Sequence, residues 1–232
     1  MIRLTREQFY FLNFLSLIIA LTFVPSIQAA DQYDPTRWES TIQEFVKQDQ
    51  KTGKEADILF LGSSSIRMWN LEKSFPDMNV LNRGFGGSHI EDSVYYFDRL
   101  VLPHEPEKIV FYAGDNDINA GKSPEQVLKD YQQLVQKVRE HLPETEIIYL
   151  SIKPSIARWD KVENMRKANQ LIEEYSRQHE NLYYVDLDTP MLGEDGKPRP
   201  ELFIKDNLHL SEEGYKLWTE KVLPYLKNGS ND

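Results

Sequence analysis

Three consecutive serines, Ser63, Ser64 and Ser65, follow a short apolar run in the stretch DILFLGSSSIRMW, residues 57–69. A serine hydroxyl becomes a strong nucleophile only when a base takes its proton, and that base needs a third group to fix its tautomer. Five histidines are available as bases. His104 in LPHEPE, and His141 and His179 at helix ends among charged neighbours, read as surface residues. His89, after Gly87-Ser88, reads as the start of a helix. His209 differs, because it stands three residues after Asp206 in KDNLHLSEEGY, where a short irregular loop can return the carboxylate to the imidazole. Acyl transfer also needs donors for the oxyanion that forms at the carbonyl. The glycines of GFGG can expose backbone N–H groups, and Asn116 in GDND can add a side-chain amide. Each block has a plainer reading: glycines make turns, Asn and Asp cap helices, and GSSS at a helix start can hold a phosphate. Asp115 and Asp117 flank Asn116 without further oxygen ligands nearby, which argues against a cation site.

These residues need elements to bring them together. Apolar runs at 57–62, 78–84, 108–114, 146–152 and 181–187 are short, rich in β-branched and aromatic residues, and apolar on both faces, as strands buried between two helical layers must be. Helical patterns alternate with them. SPEQVLKDYQQLVQKVREHLP begins at an N-cap, Ser123, with Pro124 at the first helical position and an apolar stripe from Val127 to Leu142. Residues 35–50 (Asp34 capping, then Trp38, Ile42, Phe45 and Val46 on one face), 160–179 and 211–226 behave likewise. Five strands alternating with helices predict parallel strands with right-handed crossovers, a three-layer α/β/α sandwich of flavodoxin-like type. Chemistry in such sheets gathers at the carboxyl ends of the strands. The serines, GFGG, Asn116 and the loop KPSIARW each follow a strand, and Asp206 and His209 lie beyond the fifth.

Taken in order, a serine after strand one, a glycine after strand two, an asparagine after strand three and Asp-x-x-His before the last helix resemble the SGNH, or GDSL-type, hydrolase superfamily. Within it, ILFLGSSSIRMW, YAGDNDI and SIKPSIARW resemble bacterial acylhydrolases related to the platelet-activating-factor acetylhydrolase catalytic subunit. The resemblance covers residues 57–218. It implies Ser64 as nucleophile, His209 as general base, Asp206 as its orienting partner, and an oxyanion hole of the Ser64 N–H, Gly87 and Asn116. Gly86, adjacent to Gly87, is the alternative for the oxyanion glycine. Two positions depart from the family pattern, Ser63 for Asp and Ser65 for Leu. The implied reaction is two-step ester hydrolysis needing no metal or organic cofactor, on a short-chain ester of a carbohydrate or small alcohol, with lipase, lysophospholipase or thioesterase activity as the alternative. Trp159 and Arg158, after strand four, are candidate substrate-binding residues, Trp159 with a core-covering role as the alternative. An α/β-hydrolase elbow is disfavoured because Ile66 stands where its second glycine belongs. A non-catalytic anion binder remains the reading of another class.

Residues 1–30 carry Arg3 and Arg6, an apolar core from Phe9 to Val24, Pro25 and the small residues Ala29 and Ala30, the layout of a signal peptide. They predict export to the periplasm or medium, cleavage after Ala29 or Ala30, and one catalytic domain over 31–232 without stable membrane insertion; an uncleaved anchor is the alternative. With no cysteine, the fold has no disulfide and rests on its core. A net charge of −10 disfavours nucleic acid as a partner.

Overall fold

The computed structural model describes residues 33–53 and 55–227; the expected signal segment lies outside them. In chain order the described residues form α1 (Glu39–Thr52), β1 (Ile58–Gly62), α2 (Ser64–Arg67), α3 (Leu71–Ser74), β2 (Val80–Gly84), α4 (Ile90–Tyr95) and α5 (Phe97–Leu100). Then follow β3 (Lys108–Tyr112), α6 (Asp115–Asn119), α7 (Pro124–His141), β4 (Glu146–Leu150), α8 (Val162–Ser176), β5 (Leu182–Val185) and α9 (Glu212–Lys227). The five strands form one parallel sheet in the order β2-β1-β3-β4-β5. Connections leave β1 in one direction and reach β3 in the other, so a crevice opens between the carboxyl ends of β1 and β3.

Period-two alternation along each strand divides the core. Leu59 and Leu61, Ile109 and Phe111, and Ile147 and Tyr149 point to the layer of α1, α4, α7 and α8, where they meet Ile42, Ile90, Val127, Leu134 and Ile172. Ile58 and Phe60, Val110 and Tyr112, and Ile148 and Leu150 point to the other layer, formed by α2, α3 and α9 with Trp69, Phe75, Trp218 and Val222. Strands buried on both sides thus explain the near-continuous apolar runs.

Local signals act where the sequence places them, with two shifts. Ser123 Oγ accepts from the Gln126 N–H at 3.2 Å and caps α7. The segment from Pro35 starts as a 3-10 turn, Pro35–Trp38, and only then becomes α1. The expected segment 160–179 likewise opens with a 3-10 turn, Trp159–Lys161, before α8. His104 corrects the sequence reading: it is buried, with Nε2 3.5 Å from Asp49 Oδ2, beside the ion pair of Asp49 with Arg83. Its charged flanks, Glu105 and Glu107, are exposed, so composition alone conceals the inward turn. Among the described residues no helix is long and apolar enough to cross a membrane.

Candidate active site

The turn after β1 selects one serine from three. Gly62 has φ +134°, and a Cβ there would collide with the Tyr112 carbonyl of β3. Glycine alone allows this close passage. The Ser63 N–H donates to that same carbonyl at 3.0 Å, and the Ser63 carbonyl accepts from the N–H groups of Ile66 and Arg67, both at 3.0 Å, which starts α2. Ser63 and Ser65 are each 2% exposed and turn into the protein, whereas Ser64 is only partly buried. Ser64 Oγ lies 2.9 Å from His209 Nε2.

Behind the imidazole, His209 Nδ1 lies 2.6 Å from Asp206 Oδ2. A tight loop makes this contact local. Phe203 and Leu210 form an antiparallel bridge, the Ile204 N–H donates to the His209 carbonyl at 2.9 Å, and Asn207 adopts φ +58°. Asparagine is among the few side chains that enter that left-handed region readily. The other Asp206 oxygen accepts from the N–H groups of Leu208 and His209, each at 2.9 Å. Desolvation pushes the Asp206 pKa upward, but the hydrogen bonds from the His209 ring and from the two N–H groups outweigh it and bring the pKa down to about 2. The carboxylate is therefore ionised at every pH at which the imidazole can act as a base.

The crevice predicted between β1 and β3 is a cavity of about 500 Å³ lined by Ser64 and His209, Gly86 and Gly87, Asp115 and Asn116, with Trp38, Thr41, Arg67, Lys153, Arg158 and Leu208. Gly87 has φ +77°, the left-handed region, and a Cβ there would lie 3.5 Å from the Trp38 ring. Among the described residues, the N–H groups of Ser64, Gly86 and Gly87 meet no acceptor, so either glycine can serve beside Ser64. Asn116 begins its helix beside Asp115; its Nδ2 donates to the Ser88 carbonyl at 3.0 Å, leaving the second amide hydrogen for the cavity. Arg158 Nη1 donates to Asn116 Oδ1 at 3.1 Å and to Asp115 Oδ1 at 2.6 Å, which fixes which end of the carboxamide is nitrogen. Lys153, 1% exposed, donates to Asp115 Oδ2 at 3.2 Å. Burial raises the Asp115 pKa, but Lys153 and Arg158 more than offset this and hold it below the ordinary carboxylate value.

Asp115 and Asp117 do not act as a pair. Asp117 points away, to Lys122 at 3.1 Å, and burial raises its pKa despite that cation. Arg158 lies in the cavity wall but is engaged by Asp115 and Asn116. Trp159 is absent from the lining: its 3-10 turn carries the ring outward, where Arg166 Cζ lies 5.6 Å and Lys197 Nζ 4.6 Å from its centroid. Sequence reasoning passed over four lining residues, Trp38, Thr41, Arg67 and Leu208. Trp38 looked like one more apolar residue of a helix face. Arg67 had a usable signal, since a residue three positions after Ser64 on the same helix must share its face.

A serine hydroxyl on an imidazole whose far nitrogen meets a carboxylate, next to backbone N–H groups without acceptors among the described residues and a clamped carboxamide, is competent for general-base-assisted attack on a carbonyl. Comparison with known proteins agrees. The family model described as GDSL-like lipase/acylhydrolase matches residues 62–217. The chain belongs to this family. GDSL-like hydrolases are ester-hydrolysing enzymes, and the five-stranded parallel sheet flanked by helices found here matches the fold of their solved structures. A mammalian relative, the platelet-activating factor acetylhydrolase IB subunit alpha1 of Bos taurus, is 28% identical over 186 residues, covering 77% of this chain and 78% of its own. The structure of a GDSL-like lipase from Bacteroides thetaiotaomicron superposes with TM-score 0.67 at 19% identity, covering 84% of this chain and 97% of that one. A catalytic mutant of an acetylxylan esterase from Geobacillus stearothermophilus gives TM-score 0.60 at 15% identity, over 75% of this chain and 94% of that one.

Proposed function

We propose that the protein is a serine esterase that cleaves short-chain carboxylic esters through an acyl group held on Ser64. The observation that carries this reading is the continuous chain from Ser64 Oγ through His209 to Asp206, with contacts of 2.9 Å and 2.6 Å. A site that only held an anion would have no use for it. His209 Nε2 takes the Ser64 proton as Oγ attacks the ester carbonyl carbon. The N–H groups of Ser64 and Gly87 and the Asn116 amide receive the oxyanion, and the imidazolium returns the proton to the departing alcohol. Water, deprotonated by the same nitrogen, then releases the acid and restores Ser64. The Ser64 and Gly87 donors and the Asn116 amide act only as charge develops, which is where such donors lower a barrier.

The cavity lining supports a short acyl group. Only Trp38 and Leu208 offer broad apolar surface, among Thr41, Arg67, Asp115, Asn116, Lys153 and Arg158. Each methylene of a long acyl chain gains about 0.8 kcal/mol only against an apolar wall, and this wall is soon exhausted. Acetyl groups on a carbohydrate fit the reading, and one enzyme of the same fold is an acetylxylan esterase. The apolar N-terminal segment, residues 9–24, supports export to the periplasm or medium, where such polymers are met. Lipid acyl hydrolysis is the alternative, favoured by the likeness to a platelet-activating factor acetylhydrolase subunit. In a para-nitrophenyl ester series, acetate and butyrate are expected to give the highest kcat/KM. Faster turnover of the octanoate would overturn the short-chain claim.

Asn116→Ala is expected to lower kcat about 100- to 1,000-fold with a small change in KM, since the lost amide contact belongs to the transition state. Parallel kinetics on para-nitrophenyl acetate check this, and an unchanged kcat would remove Asn116 from the oxyanion hole.

A further inference from the structure

The cavity holds more positive charge than the proposed hydrolysis requires. Three cations, Arg67, Lys153 and Arg158, stand in its wall with a single carboxylate among them besides the Asp206 partner of His209, in a chain whose net charge is −10. Lys153 and Arg158 are both committed to Asp115, at 3.2 Å and 2.6 Å. Arg67 is not committed: among the described residues its guanidinium makes no hydrogen bond and no ion pair.

Arg67 is exposed, and its place on the turn brings it to the cavity. It closes the single turn of α2 that begins at Ser64, so its side chain leaves the same helix face as the hydroxyl. The guanidinium runs beside the glycine loop. A Cβ added to Gly86 would sit 2.9 Å from Arg67 Nε and 3.5 Å from its Cζ and Nη2. A side chain at position 86 would displace it. A planar fork of donors, beside a backbone without a side chain, next to the nucleophile and without a partner among the described residues, matches the geometry of a carboxylate or another oxyanion.

We infer that Arg67 binds an anionic group of the substrate, so that this site prefers esters carrying a carboxylate a few atoms from the scissile carbonyl over neutral esters of the same size. The inference rests on the esterase reading and names its substrate class. The carboxylate can belong to the alcohol portion, as in an acetylated uronic acid, or to the acyl portion, as in a half-ester of a dicarboxylic acid. The chemistry recognised by Arg67 is the same in both.

Two matched pairs separate these sources. Para-acetoxybenzoate against its methyl ester places the charge on the leaving alcohol, and mono-para-nitrophenyl succinate against its methyl ester places it on the acyl group. In the unaltered enzyme the anionic member of at least one pair is expected to have a kcat/KM about 10-fold above its neutral partner, the size expected of one partly exposed charge-assisted contact. The pair that shows the preference identifies the side. In Arg67→Gln that ratio is expected to fall to about one, in Arg67→Lys to fall only in part, and in added salt to fall for the unaltered enzyme. Equal rates within both pairs, or a preference that survives Arg67→Gln, would overturn the inference while leaving the esterase reading intact. A chain that turns over none of the four esters would instead overturn the esterase reading. Calorimetric binding of the same four compounds to Ser64→Ala then decides the Arg67 contact by itself. Tighter binding of an anion, lost in Ser64→Ala/Arg67→Gln, supports the contact, and equal binding of anion and neutral ester ends it.

Discussion

Ser64→Ala is expected to reduce turnover of para-nitrophenyl acetate by about four to six orders of magnitude, while Ser63→Ala and Ser65→Ala each retain activity within about 10-fold. The separation follows from orientation. Only the Ser64 hydroxyl meets His209, whereas Ser63 and Ser65, each 2% exposed, face the packing beneath α2. Loss of a nucleophile also leaves binding and the oxyanion donors in place, so KM is expected to change little and a slow background reaction to persist. Steady-state rates with all four proteins, checked for equal thermal unfolding midpoints, make the test. Equal activity in all four would end the reading of Ser64 as nucleophile. The departures from the family pattern at Ser63 and Ser65 are then matters of support for α2. Tyr215 of α9, whose hydroxyl donates to the Ser65 carbonyl at 2.9 Å, supplies part of that support.

Asp206→Asn is expected to lower kcat by about three to four orders of magnitude. A carboxylate on Nδ1 requires the tautomer in which that nitrogen carries the proton, leaving Nε2 free to accept from Ser64. Asparagine can present its NH2 to Nδ1 and so select the opposite tautomer, in which Nε2 is a donor and cannot take the Ser64 proton. The Asp206 side chain is 42% exposed, so water can partly replace it, which favours the lower end of that range. The pH dependence follows from the carboxyl group. Its pKa in the folded chain, about 2, lies below the ordinary 3.8, so the stabilisation it contributes is complete above about pH 4 and is lost as pH falls from there toward 2. Between about pH 5 and 9 the carboxylate does not titrate. The kcat deficit of Asp206→Asn should therefore be constant across that interval, measured on para-nitrophenyl acetate. A deficit that vanished at one end would mean that Asp206 acts through its charge on a titrating neighbour and does not set the tautomer.

Much of this molecule is written in local sequence. The five strands announce themselves because a sheet covered on both faces favours apolar residues, and α7 because Ser123 and Pro124 fix its start. The proposed site residues Ser64, Gly87, Asn116, Asp206 and His209 were legible as well. Each stands where a parallel strand or its following loop must deliver it to one rim, and order along the chain then substitutes for distance. The residues that sequence misplaced are those whose fate depends on a partner far along the chain. His104 looked like a surface residue until Asp49, 55 positions away, was found beside it. Trp159 was open between substrate binding and covering the core, and its 3-10 turn places it beside Arg166 and Lys197, outside the cavity lining.

The sequence by itself therefore determined the layered α/β/α architecture, the family and the candidate nucleophile, base and oxyanion residues, since hydrophobic period, capping and strand-end position are properties of short segments. Only the tertiary structure decided which neighbours those residues have. It places Arg158 on Asp115 and Asn116, buries Lys153 against the same carboxylate, and leaves Arg67 as a cavity cation without a partner among the described residues. Ion pairing is set by distances of a few ångströms between distant parts of the chain, and no local pattern encodes them.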